Sequence, residues 1–220
     1  MAEKTPYFYL NLADKWPKFV LDGLEIVNGR LQLPRLPGNA TPIGPLLDTV
    51  DALHGPAGLG MDEAGNLYLT DPAQHLVWRV DGCDGSTAPL PCLRGPGQEP
   101  GQLSSPRGLV VAGHTLYVAD SGNHRIQVVD LHTQQVRAIW GQPDPYLLPP
   151  QPGTENGRFN QPWDLAVDED GFVYVVDYGN QRVQKFDETG RVYAAFWTTM
   201  SSQDVVPQAP TFITTAVLDG

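Results

Sequence analysis

The chain repeats one sequence pattern three times, and this repetition restricts its fold more than any other feature. The copies begin at Pro56, Pro106 and Pro162, and each passes through a glycine-containing turn into an apolar strand with a tyrosine. An aspartate ends this strand, and another aspartate follows ten residues later, at 71 and 81, 120 and 130, and 177 and 187. A unit this small cannot bury its own apolar face, so the copies must stack on one another.

The third copy shows how many strands one unit contains. Alternating residues lead into a turn at 168–171, and an almost wholly apolar strand follows at 172–176. Two further strands, at 182–186 and 192–196, come after additional turns. Four antiparallel strands packed around an axis form a propeller blade. We therefore predict an all-β fold, a β-propeller or an open arc of one.

Two copies also share polar residues at fixed positions, and the shared pattern resembles the NHL repeat, a family of propeller blades. The first copy departs from it, with Gln74 in place of asparagine and Leu76 in place of arginine. The resemblance covers about residues 50 to 220 and implies blades of the NHL type. The matching residues are Asp120, Gly122, Asn123, Arg125, Ile126, Gln127 and Asp130, then Asp177, Gly179, Asn180, Arg182, Val183, Gln184 and Asp187.

The spacing of the copies leaves room for insertions. The starting prolines are 50 residues apart (56 to 106) and then 56 residues apart (106 to 162), which is longer than a bare blade. The excess lies at 82–103 and 141–161, two segments rich in proline and glycine. We expect both on the rim or on one face, where binding residues usually lie.

The chain divides into two regions. Residues 1–45 contain a strand at 7–12, a hairpin at 24–33 around Asn-Gly and a proline-rich linker. Residues 46–220 form the propeller region, with three full repeats and the start of a fourth at Pro210. A closed ring uses about four to eight blades. We expect a piece of a longer chain; the alternative is that residues 7–33 complete the ring.

The N-terminal residues carry a second resemblance. Residues 8–16 and the following hairpin resemble the start of phage-tail-like proteins of contractile injection systems, in which a propeller-like region precedes a longer tail-associated part. This resemblance implies a structural component of a baseplate-type assembly.

Composition bears on partners and location. The chain has 14 Lys and Arg against 25 Asp and Glu, a net charge of −11, and no basic run that could neutralise phosphates. Its sequence contains no apolar segment of about 18 residues, and we expect no N-terminal signal peptide, because the first ten residues lack an uninterrupted apolar stretch. We therefore expect no nucleic-acid partner and no membrane span. We expect the protein to lie in the cytoplasm or within an assembled particle. Cys83 and Cys92 are then expected to be free thiols.

The recurring polar residues have two interpretations. The strand-ending aspartates could ring one face and bind a cation. Alternatively, each caps the next turn or pairs with the arginine of its own blade, which the joint recurrence of aspartate and arginine favours. We interpret these residues as structural: Asp71, Asp120, Asp177, Asn123, Asn180, Arg125 and Arg182.

Histidines and serines are residues of this chain that could act as metal ligands or nucleophiles. His75 and His124 occupy the same repeat position, and Gln181 is the third member. Two such histidines could hold a metal, as in some propeller enzymes that resemble this family. Since only two positions qualify, we predict exposed turn histidines. No Gly-x-Ser-x-Gly elbow is present, and we predict no catalytic residue, no metal and no cofactor.

Tryptophans and variable repeat positions suggest where contacts are made. Trp78 and Trp140 lie in predicted strands and are expected to pack between blades. Trp163 stands where the other copies have Ala57 and Arg107. Variation at one repeat position suits a recognition surface, with plain packing as the alternative. We predict partner contacts by these residues: Trp163, Arg107, Tyr178, His124 and Tyr146.

These observations favour a non-catalytic platform for protein binding within a larger assembly. An enzyme with lactonase-like or lyase activity and an axial metal is the first alternative, because propellers that resemble this one carry such activity. An RNA-binding NHL module is the second, and the acidic balance disfavours it.

Overall fold

The computed structural model describes residues 54–142 and 149–197, together with the backbone of four short strands nearer the N-terminus. These strands pair two by two, as β1 (Tyr9–Asn11) with β2 (Lys18–Val20) and β3 (Glu25–Val27) with β4 (Arg30–Gln32). In the second pair Val27 lies opposite Arg30. This register confirms the hairpin predicted at 24–33, whose turn residues lie outside the described residues.

Three four-stranded antiparallel sheets follow, each with its strands paired in chain order. The first blade holds β5 (Gly58–Met61), β6 (Leu67–Asp71), β7 (Leu76–Val80) and β8 (Thr87–Pro89). The second holds β9 (Leu109–Ala112), β10 (Thr115–Asp120), β11 (Arg125–Asp130) and β12 (Gln135–Trp140). The third holds β13 (Pro162–Val167), β14 (Val173–Asp177), β15 (Arg182–Phe186) and β16 (Val192–Trp197). The predicted all-β fold of four-stranded blades is confirmed.

Neighbouring blades share apolar cores. Tyr68 and Val77 of the first blade pack with Leu109 and Leu116 of the second. The second and third blades meet around Trp140, whose ring centroid lies 5.3 Å from that of Tyr117 and 5.4 Å from that of Phe186. The expectation that Trp140 packs between blades is confirmed; Trp78 is likewise buried, in β7.

Both insertions contribute side chains to the cores between blades, which the sequence did not predict; their position on the rim or on one face stays a prediction. The first supplies β8, and its Leu90, Leu93 and Leu103 are buried in the core between the first two blades. In the second, Phe159 is fully buried, with its ring centroid 5.5 Å from that of Phe186. Apolar side chains from both segments therefore fill the space between blades. Cys83 and Cys92 are free, as expected.

A buried ion pair holds the first insertion against the second blade. Arg125 and Asp120 are both fully buried, and Arg125 Nε donates to Asp120 Oδ2 at 2.7 Å. Nη1 donates to the backbone carbonyl of Gln98 (2.7 Å), and Nη2 donates to those of Glu99 (2.9 Å) and Gln102 (2.8 Å). Burial raises the pKa of the Asp120 carboxyl, and the Arg125 cation opposes that rise.

Two amide side chains complete this network. Asn123 Nδ2 donates to Asp120 and to the carbonyl of Gly97, the latter at 2.9 Å. Gln127 accepts from the N–H of Gly101 at 2.9 Å and donates to the carbonyl of Gln102 at 2.6 Å. A buried charge is tolerated when it is paired and fully hydrogen-bonded, and the 97–104 segment provides most of these partners.

The third blade repeats the network on the second insertion. Arg182 Nε donates to Asp177 at 2.7 Å, and its other N–H groups reach the carbonyls of Thr154 (2.8 Å), Glu155 (2.9 Å) and Arg158 (2.8 Å). The captured segments share the spacing Gly-x-Glu-x-Gly-x-Leu/Phe-x-x-Pro, at 97–106 and 153–162. Each Asp–Arg pair therefore fastens the loop that precedes its blade.

The first blade lacks the arginine and uses its aspartate differently. Asp71 accepts from the backbone N–H of His54 at 2.7 Å and from Gln74 Nε2 at 2.8 Å. In all three blades the recurring aspartates accept hydrogen bonds from their own surroundings, which supports the structural interpretation given to them.

The two histidines at the shared repeat position link consecutive blades, which corrects the prediction that they are exposed. Both are half-buried in left-handed backbone conformations, with φ of 58° at His75 and 53° at His124. The Nδ1 atom of His75 accepts from the N–H of Ser105 at 2.8 Å, and that of His124 from the N–H of Gln161 at 3.0 Å. Each imidazole thus joins its blade to the start of the next one.

Removing one partner of a buried ion pair should cost far more stability than removing a half-exposed one. We expect Arg125→Met to lower the free energy of unfolding by about 3–5 kcal/mol, because Asp120 would remain buried without its cation. Arg79→Met is the matched control, since the Arg79–Asp81 pair is 38% and 26% exposed and such pairs contribute about 0–1 kcal/mol. Urea unfolding followed by tryptophan fluorescence measures both, and equal losses would contradict the role given to Arg125.

Acid should weaken the junction between the second and third blades through His124. Burial lowers the pKa of His124, with the charges of Asp120 and Asp177 opposing. The unfolded chain therefore binds a proton near the ordinary value of 6.5, at a pH where the folded chain does not. Stability should thus fall as pH drops below that value and level off below the folded-state pKa.

The matched variants are His124→Asn, which tolerates positive φ, and His132→Asn at an exposed histidine elsewhere on the second blade. Unfolding at pH 5 and pH 8 should show a smaller difference for His124→Asn than for the wild type. A pH dependence reduced by His132→Asn and left intact by His124→Asn would refute the assignment.

Candidate functional site

Three of the predicted contact residues lie together at the junction of the second and third blades. The Cζ atom of Arg107 lies 3.6 Å from the centroid of the Trp163 ring. The Trp163 and Tyr178 ring centroids are 4.5 Å apart. These residues form a continuous layer, which we call the Arg–Trp–Tyr stack.

The backbone positions each member of the stack. Trp163 lies at a register shift in β13, between Pro162 and Asp164, and such bulges redirect side chains. Tyr178 opens the 3₁₀ turn Tyr178–Asn180 that follows β14. The N–H of Arg107 donates to the carbonyl of Ala119 at 2.9 Å.

The two blades are also bonded directly at the stack. The N–H of Gly108 donates to the carbonyl of Trp163 at 2.8 Å. A Cβ at Gly108 would lie 2.6 Å from the Cα of Asp164, so glycine permits this close approach. On the other side, the Thr70 hydroxyl donates to the carbonyl of Arg107. Hydrogen bonds from two neighbouring blades therefore hold the backbone beneath the stack.

The stack is half-buried, which gives it both a fixed geometry and an accessible surface. Burial lowers the pKa of the Arg107 guanidinium, and Tyr178 opposes this; arginine nevertheless stays charged in proteins. A cation over an indole face contributes about 0.5–2 kcal/mol. Within the part of the chain that the structure describes, no carboxylate pairs with Arg107.

The other two predicted contact residues are not part of the stack. His124 is connected to the stack only indirectly. The backbone N–H of Gln161, two residues before Trp163, donates to the Nδ1 atom of His124. Tyr146 lies outside the described residues. Variation at a repeat position was the signal that found Arg107 and Trp163, but nothing in the sequence predicted that the two side chains touch.

Sequence reasoning missed a cleft between the first and second blades. It has a volume of about 510 Å³, and its lining includes Asp62, Tyr68, Arg79, His114 and His132. The hydroxyl of Tyr68 donates to Asp62 at 3.1 Å. Burial and the negative charge of Asp62 raise the pKa of Tyr68 to about 12.

The signal for this cleft was present in the repeat. The third blade has Asp168, Tyr174 and Lys185 at the equivalent positions, and Lys185 Nζ lies 3.3 Å from the Asp168 carboxylate. Aligning the first and third copies would have shown the recurring set of acid, tyrosine and cation. The two histidines come from turns of the second blade and share no such pattern.

Residues 54–142 and 149–197 contain no group of three or more His, Cys, Asp or Glu side chains arranged to hold a metal ion. The described parts of the chain also contain no helix of the length and apolarity needed to cross a membrane.

Comparison with known proteins finds matches to a repeat family in two segments of the chain. The family model of the NHL repeat matches residues 103–129 and 159–186. NHL repeat-containing protein 3 of Mus musculus is 29% identical over 157 residues, which cover 68% of this chain and 43% of the relative. A probable peptidyl-alpha-hydroxyglycine alpha-amidating lyase of Caenorhabditis elegans is 31% identical over 119 residues, covering 51% of this chain and 32% of the relative. The chain thus spans less than half the length of these two relatives.

Solved structures share the architecture at low sequence identity. Virginiamycin B lyase from Staphylococcus aureus superposes with a TM-score of 0.55 at 15% identity, covering 95% of this chain and 59% of that one. A chain of a nidogen/laminin complex gives 0.56 at 17% identity, covering 86% and 61%. Likeness at this identity concerns the fold. Together with the four-stranded sheets, it shows that the described blades have a β-propeller architecture. The family match shows that the chain contains NHL repeats at 103–129 and 159–186.

Proposed function

We propose that this protein is a protein-interaction platform that presents the Arg–Trp–Tyr stack to another protein. The observation that carries the proposal is the clustering of Arg107, Trp163 and Tyr178 from two blades into one half-buried layer. Tryptophan, tyrosine and arginine are the residue types most enriched among the few that dominate binding energy at protein interfaces.

The rigidity of the stack supports this role. The backbone beneath it is hydrogen-bonded to both neighbouring blades, and the ring of Trp163 is covered on one side by Arg107 and contacted by Tyr178. Side chains already fixed in the free protein lose little conformational entropy on binding. A partner would therefore meet a preformed aromatic surface rather than one that must be ordered.

The proposed partner is another protein, and the proposal does not include a phage-tail-like particle. The prediction of a phage-tail-like particle rests on residues 8–16 and the following hairpin, and nothing in the described structure or in the relatives named above supports it. The expectation of no nucleic-acid partner rests on the net charge of −11, because such binding depends on Lys and Arg residues that neutralise phosphates.

An enzyme is the second candidate, favoured by the lyase among the sequence relatives. Asp120 and Asp177 are unsuitable as metal ligands for such an enzyme, because both are buried and bonded to arginine. Metal analysis of the purified protein discriminates the two functions. A bound metal in stoichiometric amount would favour the enzyme, and its absence after dialysis against a divalent-metal buffer would favour the platform.

Truncating the stack should weaken partner binding. We expect Trp163→Ala and Tyr178→Ala each to reduce affinity at least about tenfold, by 1–2 kcal/mol or more, since such anchors dominate interfaces. At position 163 alanine fits the repeat, because the first blade carries Ala57 at the equivalent position. The matched control is Tyr193→Ala, which removes an aromatic side chain that is 69% exposed and outside the stack.

The measurement is affinity capture from the source cell, with quantitative mass spectrometry of wild type and variants in parallel, then calorimetry with the purified partner. Circular dichroism verifies that each variant stays folded. If the variants at Trp163 and Tyr178 retain the partner and Tyr193→Ala loses it, the platform surface lies elsewhere and the assignment is wrong.

A further inference from the structure

Arg107 differs from the other arginines that are shielded from water. Five arginines of the described residues are buried or half-buried. Four of them donate side-chain hydrogen bonds to carboxylates, amides or carbonyls: Arg79, Arg125, Arg158 and Arg182. The guanidinium of Arg107 has no such bond within the described part of the chain, and its recorded side-chain contact is the face of Trp163.

The geometry leaves the donors of Arg107 available. A guanidinium carries five N–H groups in its own plane. Trp163 lies over the guanidinium, with its ring centroid 3.6 Å from Cζ, and a stack of this kind engages a guanidinium face rather than the edge where the donors lie. No nitrogen of Arg107 is among the described buried polar atoms that lack a partner, so its donors reach the surface of the protein.

We infer that Arg107 binds a carboxylate of the partner protein through paired N–H···O bonds, next to an apolar group that packs on Trp163 and Tyr178. This rests on the proposed function of the stack. The carboxylate can belong to an Asp or Glu side chain or to a C-terminus, since both present the same two oxygens. The planar guanidinium matches this acceptor pair, which an ammonium does not.

A single carboxylate fits better than a polyanion. Clusters of arginine are the usual means of recognising phosphorylated or strongly acidic segments, whereas the stack contains one cation beside two aromatic rings. The whole chain carries a net charge of −11 and attracts cationic peptides in general. Selection of an acidic group at the stack would therefore run against the overall field and would identify a local interaction.

The test uses random dodecapeptides displayed on yeast, in one library with free C-termini and one with blocked C-termini. The immobilised bait is the full chain as wild type, Arg107→Gln, Arg107→Lys and Trp163→Ala. We expect the wild type to enrich peptides with an acidic residue next to an aromatic or leucine residue. Enrichment restricted to the free-terminus library would assign the carboxylate to a C-terminus.

Synthetic peptides then give the decisive measurement by fluorescence polarisation. Changing the selected Glu to Gln, or Arg107 to Gln, should each weaken binding about tenfold, and the two changes together should cost no more than one. Arg107→Lys should recover only part of the loss, because it cannot form the paired bonds.

The outcomes separate this inference from the proposed function. Peptides whose binding depends on Trp163 but shows no acidic preference and no coupling to Arg107 would overturn the carboxylate assignment and leave the platform intact. Basic peptides enriched equally by all four baits would overturn both, because binding would then follow net charge and bypass the stack.

Discussion

The buried pairing of aspartate with arginine is the interaction on which the described propeller depends. Asp120 and Arg125 are fully shielded from water, so every donor and acceptor must find a partner inside the protein. The Arg125 guanidinium donates to backbone carbonyls of the 97–104 segment, and the Arg182 guanidinium donates to those of the 153–160 segment. Segments rich in glycine and proline thus become fixed parts of the core.

This constraint also explains why each blade is attached to the next. Once the loop before a blade is fastened, Leu103 and Phe159 are held in the spaces between blades, where both are fully buried. The histidine fasteners act at the same place, since His75 and His124 accept from the residue just before each starting proline. The chain therefore enters its second and third blades along a defined path, which sets the positions of Arg107 and Trp163.

The junctions between blades are similar in backbone and different in chemistry. Between the second and third blades, Trp140 fills the space against Phe186, and glycine at 190 leaves room for its indole. Between the first and second, Asp62, Tyr68 and Arg79 border an open cleft. One repeat architecture therefore carries both a closed aromatic core and a polar opening, because a few side chains change while the order of the four strands in a blade does not.

The repeat in the sequence predicted most of the strands of each blade, and it offered the pairing of Asp120 with Arg125 and of Asp177 with Arg182 beside capping of the next turn. It could do so because these features depend on residues within one local unit. Tertiary structure decided the contacts between units, which the spacing of the units in the sequence does not predict. The loops are held in place because their carbonyls, about 25 residues before each arginine in the chain, accept hydrogen bonds from Arg125 and Arg182. The Arg–Trp–Tyr stack exists because β13 lies beside β9, which brings residues 56 positions apart within 3.6 Å. A local pattern encodes the blade, but contacts across blades depend on how far one blade is rotated against the next.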